Sequence, residues 1–201
     1  MGPDPIFTRF PVRGYRSKLT LAGETSDTIL ALAAVMQTLS VPDRIAQRAT
    51  VHTARNAAHR TTVLAAAERG ATKPMTKAYV SRCISQVLER RPDAAVLSEL
   101  GCPLAPMTIT RHGCRYQAPN SGGLGWGFPT ALGMQLADRE RLVIATMGDG
   151  SYIFSNPPAC HQVAEALGLG VLVMVLNNSE WGAVRKSVTQ LYPDGYAAQS
   201  N

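Results

Sequence analysis

The chain lacks any run approaching the eighteen or so consecutive apolar residues that a membrane span needs. Its first seven residues hold no apolar signal-peptide core. These absences argue against a membrane partner and for a cytoplasmic protein. Cysteine is sparse: Cys83, Cys102, Cys114 and Cys160 show none of the paired short spacings of zinc or thiol-redox motifs, so reduced, unpaired thiols are expected. Aromatic residues make up only 6% of the chain. None interleaves with Arg44, Arg48, Arg55, Arg60 and Arg69, and no nucleic-acid motif accompanies them, so this alanine-rich run reads as a solvated helical linker and nucleic acid as no partner. The dinucleotide fingerprint is missing too: Gly148-Asp149-Gly150 is followed three residues on by Ile153, and Gly123-Leu124-Gly125 by Phe128. No internal repeat or low-complexity tract is present.

What is present is a chain of 201 residues with 45% hydrophobic content, enough for one domain with a sizeable core, or one domain plus a fragment. The net charge of +6, from 20 basic and 14 acidic residues, favours anionic ligands. Residues 142–147 form an apolar run of strand length closed by Gly148-Asp149-Gly150. Asn156 then supplies an N-cap, with Pro157 and Pro158 where a first helical turn tolerates them. A helix over 159–167 stops at Gly168, and residues 171–176 make a second strand ending at Asn177-Asn178. Such a strand, helix, strand unit is right-handed and parallel. Asp149 and Asn178 therefore leave the carboxyl ends of two parallel strands on one sheet edge, where open α/β sheets bind ligands.

A carboxylate and a carboxamide facing each other there offer hard oxygen ligands to Mg²⁺, which completes its shell with waters and substrate phosphates. The glycines beside Asp149 let backbone N–H groups approach an anion. Residues 179–185 can open another helix whose first amides face the same spot. Either motif alone would read as a bare turn or loop. With a strand before each, the pair reads as a clamp for a metal-bound diphosphate.

These residues resemble a known family, the thiamine-diphosphate-dependent 2-oxo-acid decarboxylases and carboligases, with acetolactate synthase and benzoylformate decarboxylase as the nearest types. The resemblance rests on Gly148-Asp149-Gly150 with Asn177-Asn178 at the family's spacing, on the glycine-rich segment 121–133, and on the run 177–185. It implies an α/β fold with a parallel sheet and helices on both faces. It implies thiamine diphosphate and Mg as cofactors, a metal held by Asp149, Asn178 and the Glu180 carbonyl, and cofactor contacts from Gly123, Leu124, Gly148, Gly150, Ser151, Trp181, Gly182 and Ala183. Leu124 would prop the cofactor into its bent shape; ordinary core packing is the competing reading for this residue. The implied chemistry uses the cofactor as an electron sink for decarboxylating a 2-oxo acid, followed by transfer or protonation.

The resemblance also implies an organisation: residues 1–40 as the remnant of a central α/β domain, 41–74 as the basic helical linker, and 75–201 as a C-terminally truncated cofactor domain. Within it, a short strand is expected near 19–22, a helix capped near Thr25 or Ser26, a helix capped by Thr76, and a strand over 94–97. The glutamate that activates the cofactor's pyrimidine belongs to a domain absent here, so no catalytic residue is assigned and a partner chain, in a homo- or hetero-oligomer, is expected to supply it. Cys102, in the loop after the 94–97 strand, can face the cofactor or sit as a buried small hydrophobe. His112 and His161 fall at no motif position. A non-catalytic remnant or interaction module from a truncated gene is the alternative.

Overall fold

The structure is a computed structural model and describes residues 18–19, 21–39, 41–117 and 123–199. The chain divides into two compact units between Ala57 and Ala58. The first holds helix α1 (Thr25–Leu39) and the opening turns of α2 (Pro42–Glu68). The Glu24 carbonyl accepts the first helical bond, from Thr28 N–H at 3.0 Å, so Glu24 takes the cap position expected for Thr25 or Ser26. None of α1's residues is buried. Around 19–22 only Ala22 makes an isolated bridge, and Thr20 lies outside the described residues, as do residues 1–17.

The second unit begins inside α2, which is not solvated throughout. Arg60 lays its guanidinium over a following loop, donating to the carbonyls of Ala105 at 2.5 Å and Met107 at 3.0 Å and to Thr108 Oγ1 at 2.5 Å. Ala67, the penultimate residue of the helix, is fully buried. Then come α3 (Lys77–Arg90), β1 (Ala95–Glu99), β2 (Arg115–Tyr116), α4 (Gly127–Ala137), β3 (Val143–Gly148), α5 (Asp149–Phe154), α6 (Pro157–Leu167), β4 (Leu172–Leu176), α7 (Gly182–Leu191) and α8 (Tyr196–Gln199). Thr76 caps α3 as expected, accepting from Tyr79 N–H at 3.2 Å.

The four strands form one parallel sheet in the order β2-β1-β3-β4. Alternation along β1 and β3 sends successive side chains to opposite faces. Ala95, Leu97, Val143, Ala145 and Met147 pack with Phe128, Ala131 and Leu132 of α4 and Cys160 of α6. Val96 and Ile144 pack on the other face with Val80, Ile84 and Leu88 of α3. Helices thus cover both faces of a parallel sheet, as that arrangement requires. No single described helix is long and apolar enough to cross a membrane.

Two local expectations change. The turn expected at Gly148-Asp149-Gly150 is helical, because Asp149 opens the short helix α5 directly from β3. Asn156 does precede α6, yet it stands in the left-handed region (φ 54°) and its side chain makes no cap bond. Asparagine tolerates that conformation better than most residues, and the turn lets α6 start immediately after α5.

Candidate functional site

The parallel order β1-β3-β4 puts the carboxyl ends of all three strands on one edge. A cavity of about 300 Å³ opens there, lined by Gly148, Asp149, Gly150 and Ser151 after β3, by Asn178, Glu180, Trp181, Gly182 and Ala183 after β4, and by Leu124. The expected site residues are therefore brought together, with one exception. Gly123 does not line the cavity, and Ser121 and Gly122 beside it lie outside the described residues.

The two asparagines at the end of β4 divide the work. Asn177 builds the loop: its Oδ1 accepts from Ser179 N–H at 2.7 Å, an Asx turn that carries Ser179 through the left-handed region at φ 57°. Asn178 builds the site. With its nitrogen turned inward, its amide donates to Asp149 Oδ1 at 2.8 Å and to the Glu180 backbone carbonyl at 3.2 Å. In the opposite orientation the nitrogen donates to Glu180 Oε1 at 3.3 Å, and the amide oxygen faces Asp149 Oδ1 and the Glu180 carbonyl.

That second orientation brings three oxygens together: one carboxylate, one amide and one carbonyl. Around a small hard cation with octahedral ligands at about 2.0–2.1 Å, adjacent ligands stand about 2.9 Å apart. Spacings of 2.8 and 3.2 Å fit that pattern, so the donor set suits a divalent cation without rearrangement of the backbone. Among the described residues no cluster of three His, Cys, Asp or Glu side chains offers an alternative metal site.

Close approaches fix the walls. A Cβ on Gly150 would stand 2.7 Å from the Trp181 ring, so only glycine lets that indole lie against the start of α5. Trp181 meets Phe154 edge-on, ring centroids 5.1 Å apart, which ties α5 to the loop after β4. Gly125 stands at φ 90°, and a Cβ there would fall 2.5 Å from the Phe154 backbone. This seats the segment carrying Leu124 against the end of α5.

Sequence reasoning missed three contributors. Glu99 ends β1 and is 2% exposed; its Oε1 accepts from Gly125 N–H and its Oε2 from Gly127 N–H at 2.6 Å. It holds both sides of the turn that precedes α4 and follows Leu124. The available signal was an acidic residue closing a buried parallel strand, a place where a carboxylate needs partners. Lys77 and Lys186 also line the cavity, and no local motif marked either. Cys102 turns away from the site into the core at 1% exposure, its N–H donating to Thr146 Oγ1 at 3.3 Å, and burial pushes its thiol pKa up. His161 pairs with the Tyr152 hydroxyl at 2.8 Å and sets its ring edge on Phe128. His112 is exposed.

Residues 103–201 match the family model described as thiamine pyrophosphate enzyme, C-terminal TPP binding domain. The acetolactate synthase large subunit of Parasynechococcus marenigrum is 32% identical over 123 residues, covering 60% of this chain and 20% of that protein. The acetolactate synthase of Arthrospira platensis is 38% identical over 81 residues, covering 39% and 14%, and the benzoylformate decarboxylase of Pseudomonas aeruginosa 37% over 70 residues, covering 35% and 13%. The chain spans a fifth or less of the length of these relatives. By the match over residues 103–201, that part of the chain is a C-terminal cofactor-binding domain of the thiamine-diphosphate-dependent enzyme family.

Proposed function

We propose that this chain supplies the diphosphate and metal half of an acetolactate-synthase-like site that decarboxylates or ligates 2-oxo acids, with Mg²⁺ as the metal. The single observation that carries the reading is the convergence of Asp149 Oδ1, the Asn178 amide and the Glu180 carbonyl at ligand spacing. These three hold the Mg²⁺. The free amides at the start of α5, from Gly150 and Ser151, and those of Gly182 and Ala183 at the start of α7 face the diphosphate. Leu124 would supply an apolar wall against the cofactor, and Glu99 keeps that wall in place through Gly125 and Gly127. Trp181, held edge-on by Phe154, forms one wall of the cavity. Thiamine diphosphate held there would supply an electron sink for decarboxylation of a 2-oxo acid.

The acids that line the cavity, Asp149 and Glu180, belong to the metal end; a partner chain, another copy or a different subunit, brings the activating glutamate. A thermal melt tests the reading. At a hundredfold excess over the dissociation constant, thiamine diphosphate with Mg²⁺ stabilises the fold by about 2.7 kcal/mol. Asp149→Ala abolishes that gain. A melt unmoved by cofactor and metal together overturns the reading.

A further inference from the structure

Four charged side chains line the cavity: Asp149, Glu180, Lys77 and Lys186. The acids have roles above, but the lysines have none. Lys77 opens α3, before the sheet in sequence, yet its Nζ reaches the cavity edge and donates to the Leu100 carbonyl at 2.9 Å. Leu100 stands at φ 54°, a conformation a leucine rarely adopts, and it lines the cavity itself. An ammonium has three donors, so this bond anchors Lys77 and leaves others for a ligand. Lys186 lies one turn into α7, and its ammonium makes no hydrogen bond or ion pair with any described residue.

Charge accounting gives these lysines work. The four side chains sum to zero, and a divalent cation makes the lining +2. A terminal phosphate brings about 1.5 to 2 negative charges, and the inner phosphate of a diphosphate adds roughly one more. The loaded site is then close to neutral with the lysines. Without them it carries about three uncompensated negative charges in a partly desolvated pocket, where such charge is costly.

We propose that Lys77 and Lys186 form an electrostatic clamp on the diphosphate, from the β1 side and the α7 side, complementing the metal. The inference rests on the reading of this cavity as a diphosphate site. It identifies two binding residues that lie outside the Gly-Asp-Gly and Asn-Asn motifs.

The test compares thiamine diphosphate with unphosphorylated thiamine, both with Mg²⁺, binding to the full chain and to Lys77→Gln, Lys186→Gln and the double variant. Each single variant weakens diphosphate binding about tenfold, the double variant weakens it further, and thiamine binding stays within twofold. Lys186→Arg restores most of the affinity. Lys186 sits on an exposed helix face, so its variant separates binding from folding should Lys77→Gln loosen the Leu100 turn. Diphosphate affinity unchanged in the double variant overturns the clamp while leaving the site reading intact, and it would move the lysines to a substrate carboxylate. Equal losses for thiamine and its diphosphate overturn it as well. No binding to the unaltered chain overturns the diphosphate site itself.

Discussion

Replacing Glu99 with glutamine keeps the side chain's shape and removes one acceptor. Both carboxylate oxygens accept backbone N–H bonds, from Gly125 and Gly127, inside a site where Glu99 is 2% exposed. The glutamine amide satisfies one of these donors and turns an NH₂ group against the other. A hydrogen bond to a charged group contributes about 1.5–3 kcal/mol, and an orphaned buried donor costs about 1–3 kcal/mol. Relief of the carboxylate's desolvation offsets part of this. The net loss is about 2 kcal/mol for Glu99→Gln, and about 4 kcal/mol for Glu99→Ala, which orphans both amides and leaves a void. With a urea slope of about 2 kcal/mol per molar, the glutamine variant unfolds about 1 M earlier. Urea unfolding followed by circular dichroism reads this, with Glu140→Gln, an exposed acid, as a control that moves less than about 0.5 kcal/mol. Because the turn next to Leu124 loosens, cofactor affinity falls in the same variant. A Glu99→Gln protein as stable as the parent refutes the reasoning.

Three further outcomes follow from the geometry. Gly125→Ala meets both a positive φ and the Phe154 backbone at 2.5 Å, so it costs about 2–3 kcal/mol or more in a thermal melt; a neutral result means the segment can shift freely. Gly150→Ala displaces the Trp181 ring rather than backbone, so stability changes little while thiamine diphosphate binding weakens at least tenfold, read by tryptophan fluorescence titration. Burial raises the Cys102 and Cys160 thiols above the ordinary 9.0. The folded state thus holds these protons where the unfolded chain releases them. The associated stability is fully present below the unfolded value and lost as pH rises through the folded value. Urea unfolding between about pH 8 and 10 shows the decline. Cys102→Ala with Cys160→Ala makes it shallower, and an unchanged slope counts against burial as its cause.

The parts of this molecule legible in its sequence are those where one local signal suffices. The runs that became β3 and β4 are continuous and apolar, although only β3 is buried between helices while β4 lies half-exposed at the sheet edge, and their acidic and amide ends mark the ligand edge. Thr76 caps α3 because its hydroxyl reaches Tyr79 N–H, a contact written three residues along the chain. Helix α4 was hidden, since Gly127, Pro129 and Gly133 disguise it; the proline costs nothing in a first turn, where N–H groups lack partners anyway. Strand β2 is two residues long and exists only through its pairing with β1. Arg60 looked like one solvated cation among five until loop 105–108 folded beneath it. Glu99 and Lys77 reach the site through topology, across separations no motif spans, while Lys186 lies one residue beyond the 177–185 run and is aimed at the site by α7.

The central proposal is that Asp149, Asn178 and the Glu180 carbonyl would together hold a divalent ion needed for diphosphate binding. Calorimetric titration of thiamine diphosphate into the full chain, with Mg²⁺ and again with a chelator, tests it most directly. The account predicts saturable heat with Mg²⁺, lost on chelation and in Asn178→Ala. Binding that is indifferent to the metal, or no saturable heat at millimolar cofactor, contradicts it.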